Sequence, residues 1–329
     1  MNKLVLIDGN AIMHRAYHAL PPLTTKKGEP INAVYGFVSM LLGLINDLKP
    51  SHIAVCFDRP EETFRRKKYV KYQAQRPEMD EFLSSQITKM HDVLESFGIP
   101  VYEKAGFEAD DLLGTISQKI TKESKKLRNK EQINEVVIVT GDRDIFQLIN
   151  EKVKVYVPVK GLKEGKLYGV EEVEHEFDFK PIQMIDYKSL VGDPSDNYPG
   201  VPGIGPKTAI TLLSKYKSKS KIYKHLEEIS ETTREKLKKG KDMADMSYEL
   251  ATIKTDVPIK IDLKKMEDWD LGSREAVELF MSYGFRTLLN RITNKNGINA
   301  NLQVVDNNIA VNNKNPKEEK MPNNQGSLF

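Results

Sequence analysis

Glu108, Asp110 and Asp111 fall within four positions of the segment GFEADDLLGT (106–115), which runs directly into an apolar pattern of helical period. Acids favour helix starts, because the exposed N–H groups and the dipole attract negative charge, so an ordinary helix N-terminus would read the same way. On a helix Glu108 and Asp111 share a face, whereas Asp110 sits about 100° from Asp111. Such a cluster repels itself unless cations lie among the acids. Further acids stand in comparable places: Asp8 and Asp58 at the ends of apolar runs, Asp142 and Asp144 in TGDRD, and Asp193 and Asp196 in GDPSDN. Together they are poor general acid–base chemistry without a counter-ion. An all-oxygen ligand set favours Mg2+ or Mn2+. Two such ions roughly 4 Å apart activate a water and stabilise a leaving oxygen in phosphodiester cleavage.

The elements that must position these acids follow from hydrophobic period. Strand-like runs at 3–8 (KLVLID), 52–58 (HIAVCFD) and 135–142 (EVVIVTGD) alternate with helix-like patterns at 10–20, 32–48, 80–98 and 108–124. KVKVYVP (152–158) adds a shorter strand-like run. Such alternation predicts an α/β domain with a mostly parallel central sheet flanked by helices. The three long runs each end in aspartate, and sites in open α/β sheets lie outside the carboxyl ends of the strands. Asp8, Asp58 and Asp142 therefore converge if those strands are near neighbours. From about residue 181 the pattern is helical and loop-rich. There GVPGIGPKTAITLL combines Gly200, Gly203 and Gly205 with Pro202 and Pro206 in a tight hairpin that opens a helix. Its backbone N–H groups can hold a phosphate, with Lys207 adding charge. The Asn-rich stretch after Arg291 shows no period and is expected to be disordered.

The chain is 39% hydrophobic and 29% charged, with a net charge of +3, which fits a globular protein and is weak evidence for any partner. No apolar run reaches the roughly 18 residues of a membrane span, and the N-terminus is too quickly polar for a secretory signal. The single cysteine, Cys56, excludes an internal disulfide, so cytoplasm, with nucleoid association, is the expected location. The segment 64–76, FRRKKYVKYQAQR, interleaves Phe64, Tyr69 and Tyr72 with Lys and Arg and holds no acid. That composition suits a nucleic-acid strand, with charge for phosphates and rings for stacking.

Five motifs in order, LIDGNAIMHRAYHALPPL, VCFDRPEETFRRKKY, GFEADDLLGT, TGDRDIFQL and VGDPSDNYPGVPGIGPKTA, together with SYELATIKTDVPI, cover residues 3 to about 290. In them the chain resembles the 5′-nuclease domain at the N-terminus of bacterial DNA polymerase I, in the flap endonuclease family. The resemblance implies a PIN-like nuclease core at 1–180 with a helical arch at 61–84. It also implies a helical DNA-binding region at 181–292 with a helix–three-turn–helix at 192–213, and a tail at 293–329. It places Asp8, Asp58, Glu108 and Asp110 around a first metal, and Asp110, Asp142, Asp144 and Asp196 around a second. Asp111 and Asp193 stand at the periphery of that metal set. It assigns Arg15, Arg65, Tyr72 and Arg76 to the DNA strand, with Arg65 also serving the scissile phosphate. Gly203, Gly205, Lys207 and Thr208 are assigned to the duplex, with K+ at the 200–206 carbonyls. The implied activity is 5′–3′ exonuclease and flap endonuclease on branched, 5′-flap and RNA-primed DNA, in replication and repair.

Two departures stand out. The family usually has lysine after the arch tyrosine, and this chain has Gln73. On a helix Lys71 would lie about 200° from position 73, while Arg76 would share its face. The chain also ends 30–40 residues after the nuclease region, which reads as a standalone nuclease. The final QGSLF resembles the short peptide that bacterial proteins insert into the replication sliding clamp, with Gln325, Leu328 and Phe329 as anchors. The alternatives are a catalytically silent branched-DNA-binding module, which would gain nothing from so many acids, and a small toxin-type ribonuclease, which would lack the 192–213 hairpin. A D-x-D phosphatase is excluded at Asp8, because position 10 is Asn10.

Overall fold

The buried strand β1 (Asn2–Asp8) alternates its side chains between two cores, one on each face of a single sheet. Val5 and Ile7 enter one core, and Leu4 and Leu6 enter the other. The same division holds along β2 (His52–Cys56), where Ile53 and Val55 oppose Ala54 and Cys56, and along β4 (Ile133–Val139). Strands covered on both faces read as near-continuous apolar runs, which is how these three read in the sequence. With β3 (Val101–Tyr102), β5 (Val153–Lys160) and β6 (Glu164–Tyr168) the sheet order is β3-β2-β1-β4-β5-β6, parallel except for the β5–β6 pair. The computed structural model describes residues 2–123, 132–160 and 164–295. The expected mostly parallel sheet flanked by helices is therefore present, with β1 central and β2 and β4 on either side of it.

One face is covered by α1 (Gly9–Ala19), α2 (Asn32–Leu48) and α5 (Ile87–Ser96). The other is covered by α6 (Ala109–Glu123) and α7 (Val170–Phe177). Between β2 and α5 the chain forms only short helices, α3 (Phe64–Lys68) and α4 (Glu81–Ser84), joined by turns. The helix expected over 80–98 is broken at Ser85–Gln86 for a tertiary reason. The fully buried Gln86 side chain accepts from Ala33 N–H (2.8 Å) and Val34 N–H (3.4 Å), and donates to Asn32 Oδ1 (3.1 Å) and to Phe82 O (2.9 Å). It satisfies free N–H groups at the start of α2. The helical spacing of Lys71, Gln73 and Arg76 fails as well. Residues 70–75 are turns, and Gln73 sits at φ +54°.

A third, smaller core gathers α8 (Met184–Val191), α9 (Pro206–Tyr216), α10 (Lys219–Lys224), α11 (Glu231–Lys239) and α12 (Lys241–Ala251) around Leu190, Leu213, Ile222 and Leu237. The division at 180/181 is not a division in space, because the chain then returns to the sheet. Ile253, Val257 and Met266 of α13 (Leu263–Glu267) enter the α6 face. Phe280 of α14 (Arg274–Tyr283) and Leu288 and Ile292 of α15 (Arg286–Lys295) enter the α2 face. Helix α15 continues three residues beyond the tail boundary drawn at 293. Gln325, Leu328 and Phe329 lie outside the described residues.

Candidate metal centre and nucleic-acid interface

The carboxyl ends of β1, β2 and β4 lie side by side and bring their acids to one edge. Asp8 closes β1 and caps α1. One carboxylate oxygen accepts from Ala11 N–H (2.9 Å) and the other from the Thr140 hydroxyl (2.7 Å) at the end of β4. Burial lifts the Asp8 pKa to about 7, against the pull of those two donors. Asp58 accepts from Ala109 N–H (2.7 Å), and its own N–H donates to Asn10 Oδ1 (2.8 Å), which ties the β2 end to α6 and α1. Water reaches Asp58, but surrounding protein still raises its pKa. Asp142 accepts from Asp144 N–H (2.8 Å), and its pKa is raised by burial and by neighbouring acids. Asp110, in the first turn of α6, has no hydrogen-bond donor among the described residues. Burial, then Asp142, Asp8, Glu108 and Asp58, push its pKa well up.

The second half of the cluster is carried by the loop after α8. Oxygens of Asp144, Asp193 and Asp196 lie within 4.8 Å of one another. Asp193 thus belongs to the cluster rather than to its periphery. Lys188, on α8, bridges this group. Its ammonium lies 2.5 Å from Asp144 and also pairs with Asp193. Burial alone would raise the Asp193 pKa, but Lys188 outweighs it and holds it below the usual value. At Asp144 burial wins, and the pKa rises to about 7. Lys188 was invisible in the sequence, because a single lysine on a short helix reads as a solvated residue.

Two glycines shape that loop. Gly192 (φ +79°) and Gly200 (φ +61°) pack backbone to backbone, and a Cβ on Gly200 would stand 2.3 Å from the Gly192 nitrogen. A side chain here would pry apart the base that carries Asp193 and Asp196. Gly200→Ala is expected to destabilise the protein by about 2–3 kcal/mol and to lower turnover more than substrate affinity. Denaturant unfolding and single-turnover cleavage measure the two effects.

Arg65 and Asp111 border this edge but pair with each other. Arg65 is 2% exposed and uses all five guanidinium donors. It donates to both oxygens of Asp111 (2.8 Å each), to Glu108 Oε2 (3.2 Å), and to the carbonyls of Leu250 (2.8 Å) and Thr252 (2.9 Å). Asp111, fully buried, also accepts from Lys254 N–H (2.8 Å) and Glu108 N–H (3.2 Å), which fills its lone-pair positions. The structure therefore leaves Asp111 no free position for a metal and Arg65 no free donor for a phosphate. The pair is an internal clamp that sets Glu108. Glu108 also accepts from Thr63 (3.1 Å), and burial raises its pKa to about 7 although Arg65 pulls it down.

The 69–76 turns lie against the acids. The Tyr72 hydroxyl is 3.2 Å from Glu108 Oε2 and 3.1 Å from Asp196 Oδ2, and the ring is buried beside Tyr198. Burial first, then Glu108 and Asp196, hold this phenol protonated far above its usual range. Gln73 donates its backbone N–H to Asp196 O (3.0 Å) and its side-chain amide to Asp196 Oδ1 (3.2 Å), where Arg76 also pairs. Arg15 is half-buried on α1. At the hairpin, Gly203 has φ +80°, and Gly205 precedes Pro206, which opens α9. Lys207 is exposed and Thr208 half-buried. The Lys236 ammonium donates to Gly203 O at 3.2 Å.

The oxygen donors fit hard divalent cations. The charges that act most on Asp110 are like charges, and Asp8, Glu108 and Asp144 are lifted to about 7, so further positive charge would stabilise the set. These groups titrate near 7 when folded, against ordinary values of 3.8 and 4.5. The folded chain therefore holds more protons across that interval, and its stability falls as pH rises from about 4 to about 7. Thermal denaturation in chelator is expected to show a Tm that drops from about pH 5 to about pH 8. Saturating Mg2+ is expected to raise Tm more at the upper value, because bound cations replace the lost protons.

Residues 3–178 match the family described as 5′-3′ exonuclease, N-terminal resolvase-like domain, and residues 179–270 match 5′-3′ exonuclease, C-terminal SAM fold. A 5′-3′ exonuclease of Aquifex aeolicus is 38% identical over 285 residues, covering 85% of this chain and 93% of that protein. DNA polymerase I of Bacillus subtilis is 39% identical over 291 residues, covering 88% of this chain and 32% of the polymerase. The chain thus spans about a third of the length of the polymerases it matches. In fold it is similar to the bacteriophage T5 flap endonuclease, solved as a pseudo-enzyme–product complex with DNA and metal ions. That likeness has a TM-score of 0.62 at 18% identity and covers 90% of this chain and 99% of that one. Both parts of the family description are matched in order, and a relative of nearly the same extent is matched along its length: the chain belongs to the 5′-3′ exonuclease family.

Proposed function

We propose that the chain is a structure-specific 5′-nuclease that hydrolyses phosphodiester bonds in branched, 5′-flap and RNA-primed DNA, using two divalent cations, Mg2+ or Mn2+. The observation that carries this reading is the strand-end carboxylate cluster, in which burial and neighbouring acids raise the pKa values of Asp8, Glu108, Asp110 and Asp144, followed in the chain by a hairpin suited to duplex phosphates. Asp8, Asp58, Glu108 and Asp110 would hold one cation. Asp110, Asp142, Asp144, Asp193 and Asp196 would hold the other. When bound, such ions supply Lewis acidity toward the phosphodiester and toward the attacking water. The chain's own residues do the rest. The Arg65–Asp111 clamp fixes Glu108, Lys188 fixes Asp144 and Asp193, and Thr140 fixes Asp8. Gly203, Gly205, Lys207 and Thr208 would grip duplex backbone, with K+ at the hairpin carbonyls, giving structure rather than sequence specificity. Arg15, Tyr72, Gln73 and Arg76 would line the path of the 5′ strand, which requires the 69–76 turns to yield their contacts with Asp196.

The test is cleavage of a 5′-labelled flap, a nicked duplex and a plain duplex, with and without Mg2+. Metal-dependent release of the flap is expected, with the plain duplex cut more slowly. Binding without cleavage under every condition would favour the silent DNA-binding alternative. Cytoplasmic location fits the absence, among the described residues, of a helix long and apolar enough to cross a membrane. The 325–329 peptide is proposed to seat in the bacterial sliding clamp. Deleting it would remove clamp-dependent stimulation and leave cleavage of free flaps unchanged.

A further inference from the structure

The segment 71–76 is docked onto the loop that carries Asp196, and both carboxylate oxygens of Asp196 are taken up in the docking. Oδ1 accepts from the Gln73 side-chain amide (3.2 Å) and pairs with the Arg76 guanidinium, and Oδ2 lies 3.1 Å from the Tyr72 hydroxyl. Around this centre the Gln73 N–H donates to Asp196 O (3.0 Å), the Asn197 side-chain amide donates to Lys71 O (2.7 Å), and the Gln75 side-chain amide donates to Pro194 O. The Tyr72 hydroxyl also lies 3.2 Å from Glu108 Oε2, in the other half of the cluster. The Gln73 backbone is left-handed, at φ +54°, a conformation that a residue with a Cβ keeps where surrounding contacts impose it.

These contacts put protein cations where a divalent ion would stand. Oxygens of Asp144, Asp193 and Asp196 converge within 4.8 Å. Lys188 pairs with the first two and Arg76 with the third. The two cations are held differently. Lys188 stands on α8 with its side chain 18% exposed, whereas the Arg76 side chain is 51% exposed at the end of a run of turns. Arg76 can therefore withdraw into water without unpacking a helix. Oδ1 of Asp196 already accepts from an amide and a guanidinium, which fills its two lone-pair positions. Resting on the proposed metal role of Asp196, we propose that the docked 71–76 segment is an autoinhibitory latch. It competes with a divalent cation for the Asp196 carboxylate, so the ion joins the Asp144–Asp193–Asp196 group as Arg76, Gln73 and Tyr72 let go, and the freed segment can then receive the 5′ strand. A change that lowers the docked population raises the apparent affinity of the ion in proportion to the undocked fraction.

The test uses the full chain without DNA. Mn2+ binding is followed by the electron paramagnetic resonance signal of the free ion, and the latch by hydrogen exchange of the Gln73 amide, which is bonded to Asp196 O. Saturating Mn2+ is expected to speed that exchange about tenfold or more. Gln73→Ala and Tyr72→Phe change no charge. Each is expected to speed exchange across 69–76 in the absence of Mn2+ and to tighten the weaker-bound Mn2+ about threefold. Arg76→Gln is expected to do both more strongly. Lys71→Gln removes an exposed charge from the same segment and is expected to do neither. Far-ultraviolet circular dichroism checks that each variant is folded. Asp196→Asn separates the latch from the reading it rests on. If it leaves Mn2+ binding as in wild type, Asp196 holds no ion and both are overturned. If it costs one Mn2+, Asp196 stands as a ligand. The latch alone is then overturned if exchange at Gln73 in the wild-type chain is the same with and without Mn2+, or if Gln73→Ala and Tyr72→Phe bind Mn2+ as wild type does.

Discussion

Replacing Asp142 with alanine is expected to lower single-turnover flap cleavage by about a thousandfold or more, equivalent to roughly 4 kcal/mol of barrier. Binding of the same flap, measured without divalent cation, is expected to hold or to tighten slightly. Asp142 does two things at the sheet edge. It adds a carboxylate between the two halves of the cluster, close enough to Asp110 to raise its pKa, and it accepts the Asp144 N–H that fixes the start of the TGDRD loop. Alanine removes a cation ligand and frees that loop, but it removes no attraction for DNA, since a carboxylate only repels phosphate. Cleavage within tenfold of wild type at saturating Mg2+ would take Asp142 out of the site.

Arg65→Met is expected to cost about 3–5 kcal/mol of stability, because it strands Asp111 as a buried charge without its partner. Arg65→Lys is expected to recover little. An ammonium has three donors and no planar fork, and it cannot serve two carboxylates and two carbonyls at once. The double variant Arg65→Met, Asp111→Leu is expected to be more stable than Arg65→Met alone, since no lone charge remains. Cleavage by the double variant should stay low, because Glu108 loses the groups that hold it. Denaturant unfolding and flap cleavage across the three variants separate the two effects. Arg65→Met with wild-type stability would show that the clamp carries no load. Arg65→Met with wild-type cleavage would show that Glu108 does not depend on it.

What was legible in the sequence was what local period and chemical type encode. β1, β2 and β4 are continuous apolar runs because both faces are covered, and each hands its acid to the same edge. The hairpin at 200–206 was legible because glycine and proline fix backbone shape themselves. β3 escaped notice because two residues carry no period, and β6, EGKLY, is a mostly exposed edge strand. Gln86 breaks a run that reads as one helix, because its partners at 32–34 are more than fifty positions away. Arg65 and Lys188 show the same limit from opposite sides. Arg65 sits in a basic stretch that suits nucleic acid and is buried. Lys188 sits in an unremarkable helix and is inside the acidic cluster. Nothing local distinguishes a cation that meets solvent from one whose partners are supplied by a distant segment.

The clamp also fixes when the enzyme can exist. Arg65 reaches carbonyls 185 and 187 positions later in the chain, and Asp111 takes the N–H of Lys254, 143 positions after it. A ribosome adding about 5–20 residues each second takes roughly 7–30 s to travel from Asp111 to Lys254. Throughout that interval Arg65 and Asp111 have each other but not the strand of backbone that seats them, and Glu108 has no fixed frame. A nascent chain that already displays Asp8, Asp58, Glu108 and Asp110 is therefore still short of a cutting site. The 250–254 segment closes it, so the cutting site is assembled only after Lys254 has been made.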